Sequence, residues 1–292
     1  MLIFKFTMER PNETMFNDHI IMHHAIKRFK SGLSIVLLAI LTISMANAEN
    51  RFLTFGTGYS HYKVRNTNMS PLLYTGSTIF SDFGYVKLSN QKIDRFDFLS
   101  WAGSVKPSIN PDLTNSNMTF FRLDFDYMYM HSMKIWKETD LNWFAGGAWT
   151  TKNGFRLHNK YYNNNFDFDV ISSLNVATAI RKSLLINNHP VEITYHLLLP
   201  VLSYTIGPSY SYVLPEDYIV EPEPNAWTFL KSGQFVSLNH LQRVNSLLDI
   251  SYYINNGNAF RLSYHWDFIN NKSTNQIISA NHGFTLSTLF KF

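Results

Sequence analysis

The chain has 292 residues (33.9 kDa), no cysteine, 16% aromatic and 16% charged residues, and a formal charge of +4. The lack of cysteine excludes a disulfide scaffold, a thiolate-ligated zinc or iron–sulfur centre, a thiol nucleophile and a lipidated N-terminal cysteine. A mean hydropathy of −0.14 is unlike a helical membrane protein, yet 24 Phe, 16 Tyr and 6 Trp with so little charge is unlike a soluble domain, where about 25% charged is typical.

In chain order, a basic cluster comes first, Lys27, Arg28 and Lys30. The apolar run Leu33–Met45 follows, then Ala46-Asn47-Ala48, the small-x-small pattern of a signal-peptidase site. This is the n-, h- and c-region order of a secretory signal. The run is shorter than the ~20 residues of a spanning helix, so an uncleaved anchor is the lesser alternative. We read 22–48 as a signal peptide starting at Met22, and 1–21 as a mistaken upstream extension. The remainder, 49–292, is one domain. The leader holds five of the 25 Lys and Arg and three of the 21 Asp and Glu, leaving 20 against 18, or +2. With no basic stripe on an exported chain, nucleic acid is excluded as a partner.

From residue 51 onward the pattern is that of strands. Ten are predicted, at 51–63, 75–89, 93–106, 118–132, 140–151, 167–183, 190–205, 236–254, 258–270 and 276–292, with 75–89 alternating most weakly. Gly56, Gly58, Gly146 and Gly147 suggest bends or close packing within strands. Phe121–Tyr129 puts Arg122, Asp124 and Asp126 on one face and aromatic and aliphatic residues on the other. Val191–Leu199 does the same with Glu192, Thr194 and His196, and Phe260–Phe268 with Arg261, Ser263, His265 and Asp267. In the last segment Phe284, Leu286, Thr288, Phe290 and the terminal Phe292 share one face.

That last strand resembles the C-terminal strand of small Gram-negative outer-membrane β-barrel proteins, in which a final aromatic and the alternating apolar residues before it are the assembly signal. Phe284, Leu286, Phe290 and Phe292 fill those places. The resemblance extends over 49–292 and implies an all-β fold, a closed antiparallel transmembrane β-barrel of about ten strands. It also implies export to the outer membrane, contact with outer-membrane lipid and lipopolysaccharide, and handling by the barrel assembly machinery. Apolar residues would face lipid and polar ones the lumen. A secreted β-sandwich is the alternative. The connections sort as this class requires. Those at 90–92, 134–139, 187–189 and 255–258 are short and would be periplasmic. Those at 64–74, 107–117, 152–166 and 206–235 are long, with a shorter one at 271–275, and would be external. The stretch 206–235 carries Pro208, Pro215, Pro222 and Pro224, so it is a loop rather than a strand. Tyr210, Tyr212, Tyr218 and Trp227 could pack it over the barrel mouth as a lid. Tyr59, Tyr85, Phe96, Trp143, Trp149, Tyr252 and Trp266 are candidates for the aromatic girdles.

Chemistry would have to come from inward-facing charges. Arg95, Asp97, Arg122, Glu192, Arg243, Asp249 and Arg261 are expected to form a lumenal charge network, because unpaired buried charge is expensive. Asp124, Asp126, His196, His265 and Asp267 are the candidate catalytic set. It holds the ingredients for water activation by a His–carboxylate pair, and in this it is similar to the omptin proteases, which also have ten strands. The omptin spacing, an acidic residue two places before the histidine, is absent. Segments 118–132 and 258–270 are well apart in strand order, so the barrel width should separate their carboxylates. No His-x-Ser occurs in 49–292, and the adjacent His131 and Ser132 fall on opposite strand faces. This disfavours the serine chemistry of outer-membrane phospholipases and lipid A deacylases. His61, His158, His189 and His240 stand singly, so no metal site and no cofactor are predicted. The functional readings are a non-enzymatic barrel with a structural, binding or narrow-transport role, a barrel-embedded hydrolase, or a small porin-like diffusion pore; the ligand is unidentified.

Overall fold

The computed structural model describes residues 50–109, 116–136, 138–159, 165–208, 215, 219, 225–273 and 276–292. The predicted extension 1–21 and signal peptide 22–48 lie outside the described residues, as do Tyr210, Tyr212 and Tyr218. The strands are β1 (Asn50–Asn66), β2 (Ser70–Leu88), β3 (Lys92–Pro107), β4 (Met118–Trp136), β5 (Leu141–His158), β6 (Phe166–Ile186), β7 (His189–Ile206), β8 (Gln234–Val236), β9 (Leu241–Tyr253), β10 (Ala259–Asn271) and β11 (Ile277–Lys291). A short helix, α1 (Ala226–Lys231), precedes β8.

Ten of these strands are long and form a closed antiparallel barrel. Each pairs with its sequence neighbour, β7 pairs with both β6 and β9, and β1 meets β11 to close the seam. That seam runs from Phe52↔Lys291 to Asn66↔Ile277, so closure leaves no long edge to pair with another chain. Short β8 extends the wall above β9, with Ser203↔Val236 as its first pair on β7. The predicted strand 236–254 is therefore two strands, separated by a turn at 238–240.

The hairpins at one end are tight. Asn187 and Asn188 join β6 to β7 with φ of 51° and 63°, the left-handed pair that a two-residue turn of matching twist requires. At the other end the strands reach further than predicted. The expected long loop at 64–74 is a turn of residues 67–69, because β1 and β2 keep pairing to Asn66↔Ser70. The expected loop at 152–166 is strand over its first part, because β5 continues to His158. Within 206–235, α1 is capped reciprocally by Asn225 and Thr228. Phe229 packs on Phe168 of β6 with ring centroids 5.7 Å apart. Trp227 is 63% exposed instead of packing into the mouth.

The outward face carries the aromatic and aliphatic residues, among them Phe55, Ile79, Leu174, Phe284 and Leu286, all exposed. Of the girdle candidates, Tyr85, Phe96, Trp143 and Tyr252 lie near the tight-turn end. Tyr59 and Trp149 are mid-strand, since β1 and β5 extend past their predicted ends. Gly146 faces inward, where an added Cβ would come within 2.1 Å of the Tyr129 carbonyl oxygen. Gly147 faces outward with only the Asn175 carbonyl within reach, at 3.7 Å, so close packing explains the first glycine and not the second.

Candidate functional site

The lumen is built in layers by the inward residue of every second strand position. At the tight-turn end Phe52, Val86, Ala259 and Leu289 pack together with Leu88 and Tyr253. On the β3–β7 side Ile93, Met128, Met130 and Phe144 form a second apolar group with Ala148, Ala177, Ala179 and Leu198. Towards the loop end Tyr62, Tyr74, Phe80, Trp101, Met118 and Phe120 belong to a third. The lumen is thus less polar than the alternation alone implied, and β2 alternates weakly because it sends Tyr74, Phe80 and Val86 inward.

Between the apolar layers lie two ion-pair networks. In the first, Arg95 bridges Asp97 on its own strand and Asp249 across the lumen. Asp249 also accepts from Ser263 and lies 3.7 Å from His196 Nε2 and 3.9 Å from Arg261 Nη1. In the second, Lys152 Nζ sits 2.5 Å from Asp267 Oδ2 and 3.7 Å from Asp124 Oδ2. Arg122 Nη2 is 2.8 Å from Asp124, and its Nη1 is 3.9 Å from Asp267. Arg243 donates from Nε to Asp267 at 3.2 Å and from Nη1 to Thr150 at 2.7 Å. Trp101 donates its indole N–H to Asp124 at 3.0 Å, and the Arg122 guanidinium stacks over its ring at 4.5 Å. Asp124, Asp249 and Asp267 are each matched by a cation from another strand, and Asp97 by Arg95 on its own, as a low-dielectric interior demands.

The candidate catalytic residues divide between these networks. Asp124, Asp126, His265 and Asp267 line one cavity of about 30 Å³, while His196 belongs to the Arg95–Asp249 group. Strand order does not keep Asp124 and Asp267 apart, contrary to expectation. Lysine and arginine side chains are long enough to span this narrow lumen. Asp126 Oδ1 and His265 Nε2 have no hydrogen-bond partner among the described residues. The His265 ring stands edge-on to Phe80 and Trp101, with centroids 5.7 and 6.4 Å away. A cavity of that size accommodates a water molecule or two. Glu192 is apart from both networks, accepting from the Tyr253 hydroxyl at 2.8 Å near the tight-turn mouth. Among the described residues no group of three or more His, Asp or Glu is placed to hold a metal ion.

Several members of the lumen escaped the sequence reading. Lys152 and Arg156 fell in a stretch assigned to a loop. Their signal was the unbroken alternation Thr150, Lys152, Gly154, Arg156, His158 on one face. Arg156 pairs with Asp167 and Asp169, and Asp167 also accepts from Asn66 and Asn68 at the barrel's loop end. Asp82 accepts from Ser287 at 3.2 Å across the β1 backbone between them.

No family model matches the sequence, and no curated protein matches it. Solved barrels are similar in structure only distantly. The translocator domain of the autotransporter NalP from Neisseria meningitidis is 7% identical, with 92% of this chain and 98% of that one covered, at a TM-score of 0.38. Neisserial surface protein A is 7% identical over 82% and 97%, at 0.32. Ail, the attachment invasion locus protein of Yersinia pestis, is 8% identical over 84% and 100%, at 0.27. Likenesses this low leave the functional reading to the geometry of the chain itself.

Proposed function

We propose that this chain is an outer-membrane β-barrel with a filled lumen, serving as a rigid anchor that presents its loop end to the exterior for binding. A closed sheet with an apolar outer face suits lipid, where every backbone group must be satisfied within the wall. The observation that carries the binding role over a diffusion role is the cross-lumen pairing of Arg95 with Asp249 and of Lys152 with Asp267. Those pairs, with the apolar layers at either end, leave internal cavities of about 30, 10 and 20 Å³, while a larger hollow of about 360 Å³ lies at the tight-turn mouth beside Phe52, Glu192 and Tyr253. A solute would have to break several buried ion pairs to pass. The hydrolase reading is weaker, because the cavity shared by Asp126 and His265 has room for water and not for a substrate.

Two measurements test the proposal. Membrane fractionation with heat-modifiable gel migration should place a folded barrel in the outer-membrane fraction; a soluble periplasmic protein would overturn the reading. Purified protein in planar bilayers should give no stable conductance steps, and persistent open-channel steps would establish a pore instead.

A further inference from the structure

The outer face of the barrel is asymmetric in charge. On its loop-end half, β1 turns His61, Lys63 and Arg65 outward, β3 adds Lys106, and β11 adds His282. They adjoin one another: His61 pairs with His282, and Thr75 of β2 lies between Lys63 and Lys106 in the ladder. His61 is held by a 3.0 Å hydrogen bond to the Thr75 hydroxyl, and His282 by a 2.7 Å bond to that of Tyr264. Among the described residues no carboxylate faces outward on this half. Asp82, Asp124, Asp167, Asp169, Asp249 and Asp267 are all buried in the lumen. The outward carboxylates Asp94, Glu138 and Asp140 belong to the tight-turn end.

Below this patch the surface is apolar. Along β11 the outward side chains are Phe292, Phe290, Thr288, Leu286 and Phe284, and Tyr59 of β1 stands between Phe284 and Ile79 of β2. From Phe292 to Phe284 a strand tilted ~40° climbs about 20 Å, close to the height of the apolar band of such barrels. His61 and His282 therefore sit at the upper edge of the hydrocarbon, and Lys63, Arg65 and Lys106 just above it.

We infer that this patch binds the phosphorylated head group of a lipopolysaccharide-class glycolipid, with the acyl chains lying along Ile79, Phe284 and Leu286. The inference rests on the outer-membrane orientation proposed above, which turns this half to the outer leaflet. Cations without outward carboxylates complement phosphates at head-group depth, and the apolar strip beneath complements the chains.

The test uses detergent-solubilised full chain and fluorescent lipopolysaccharide. The triple variant Lys63→Gln, Arg65→Gln, Lys106→Gln should bind about a hundredfold more weakly at low salt, at roughly fivefold per charge. A loss of about tenfold or more upholds the site and a smaller one overturns it. Changing Lys134, Lys182 and Lys291 to Gln at the opposite end should leave binding unchanged; an equal loss there would reduce the effect to overall charge and overturn the site. Dephosphorylated lipopolysaccharide, or phosphatidylglycerol vesicles, binding as tightly as the intact glycolipid would overturn the assignment of its ligand. Fractionation and heat-modifiable migration of the same variants report the barrel and its location separately. A variant folded in the outer membrane that still binds normally refutes this inference alone.

Discussion

Replacing Lys152 by methionine removes a charge from the middle of the lumen while keeping an unbranched side chain only one atom shorter. Lys152 is buried, with its ammonium between Asp267 and Asp124. Deleting one partner of a buried pair costs about 3–5 kcal/mol, because the other charge is stranded. Asp267 would keep Arg243 at 3.2 Å and Arg122 at 3.9 Å, and Asp124 would keep Arg122 at 2.8 Å. The low end of the range is therefore expected, about 3 kcal/mol. In reversible urea unfolding from lipid vesicles, followed by tryptophan fluorescence and by unboiled gel mobility, the midpoint should fall by about 1–2 M. Adding Asp267→Asn restores the charge balance, so the double variant should be more stable than the summed single losses by about 1–2 kcal/mol. A Lys152→Met midpoint within about 0.3 M of wild type at unchanged slope would refute the argument. It would mean that the lumen is hydrated enough to screen these charges.

Further outcomes follow from the wall and its ends. Gly146→Ala forces a methyl group against the Tyr129 carbonyl and should lower stability by about 1–3 kcal/mol, while Gly147→Ala, with its nearest atom at 3.7 Å, should be neutral in the same urea titration. Equal effects at both positions would contradict the facing of β5. Asn188→Gly should preserve the β6–β7 hairpin, since glycine adopts positive φ readily, whereas Asn188→Val should cut the yield of refolded, heat-modifiable protein. Phe292→Ala should reduce the amount of barrel assembled in cells severalfold yet refold normally in vesicles. Its ring is exposed and its contact with Tyr85 is loose, at 6.3 Å between centroids. An equal defect in both settings would make Phe292 a packing residue rather than a signal.

Alternation made the barrel legible. In β4, β10 and β11 one face is apolar and meets lipid, so a period of two survives in plain view. It was less visible in β2, whose inward Tyr74, Phe80 and Val86 plug the lumen and whose outward Ser77 and Ser81 do not look lipid-facing. The strand ends were hidden for a related reason. Lys152 and Arg156 read as loop residues by charge, yet in a barrel charge belongs inside, and β5 and β6 continue to pair as far as Leu157↔Phe166. Charge punctuates a strand only when the interior is dry and apolar throughout.

The lumenal partners were legible as a set and not as pairs. Sequence order names the neighbour of each strand in the wall, and alternation along one strand predicts Arg122 beside Asp124 two places along. It does not say which residues meet across the interior, because that depends on strand tilt and on the reach of each side chain. Arg95 on β3 meets Asp249 on β9, and Lys152 on β5 meets Asp267 on β10. Such pairs tie opposite walls together, so they resist the flattening that would open a narrow barrel into a pore. The same geometry bears on the chemistry of Asp126 and His265. To serve a hydrolase they would need solvent and substrate, and the cavity they share, about 30 Å³, is walled by Trp101, whose ring stacks on Phe80 with centroids 3.9 Å apart. If Trp101→Ala opened that cavity, the gain would appear as faster amide exchange and new water access around His265 rather than as a reaction. Measurable hydrolysis in the wild-type protein would show instead that the lumen opens spontaneously, and would overturn the rigid-anchor reading.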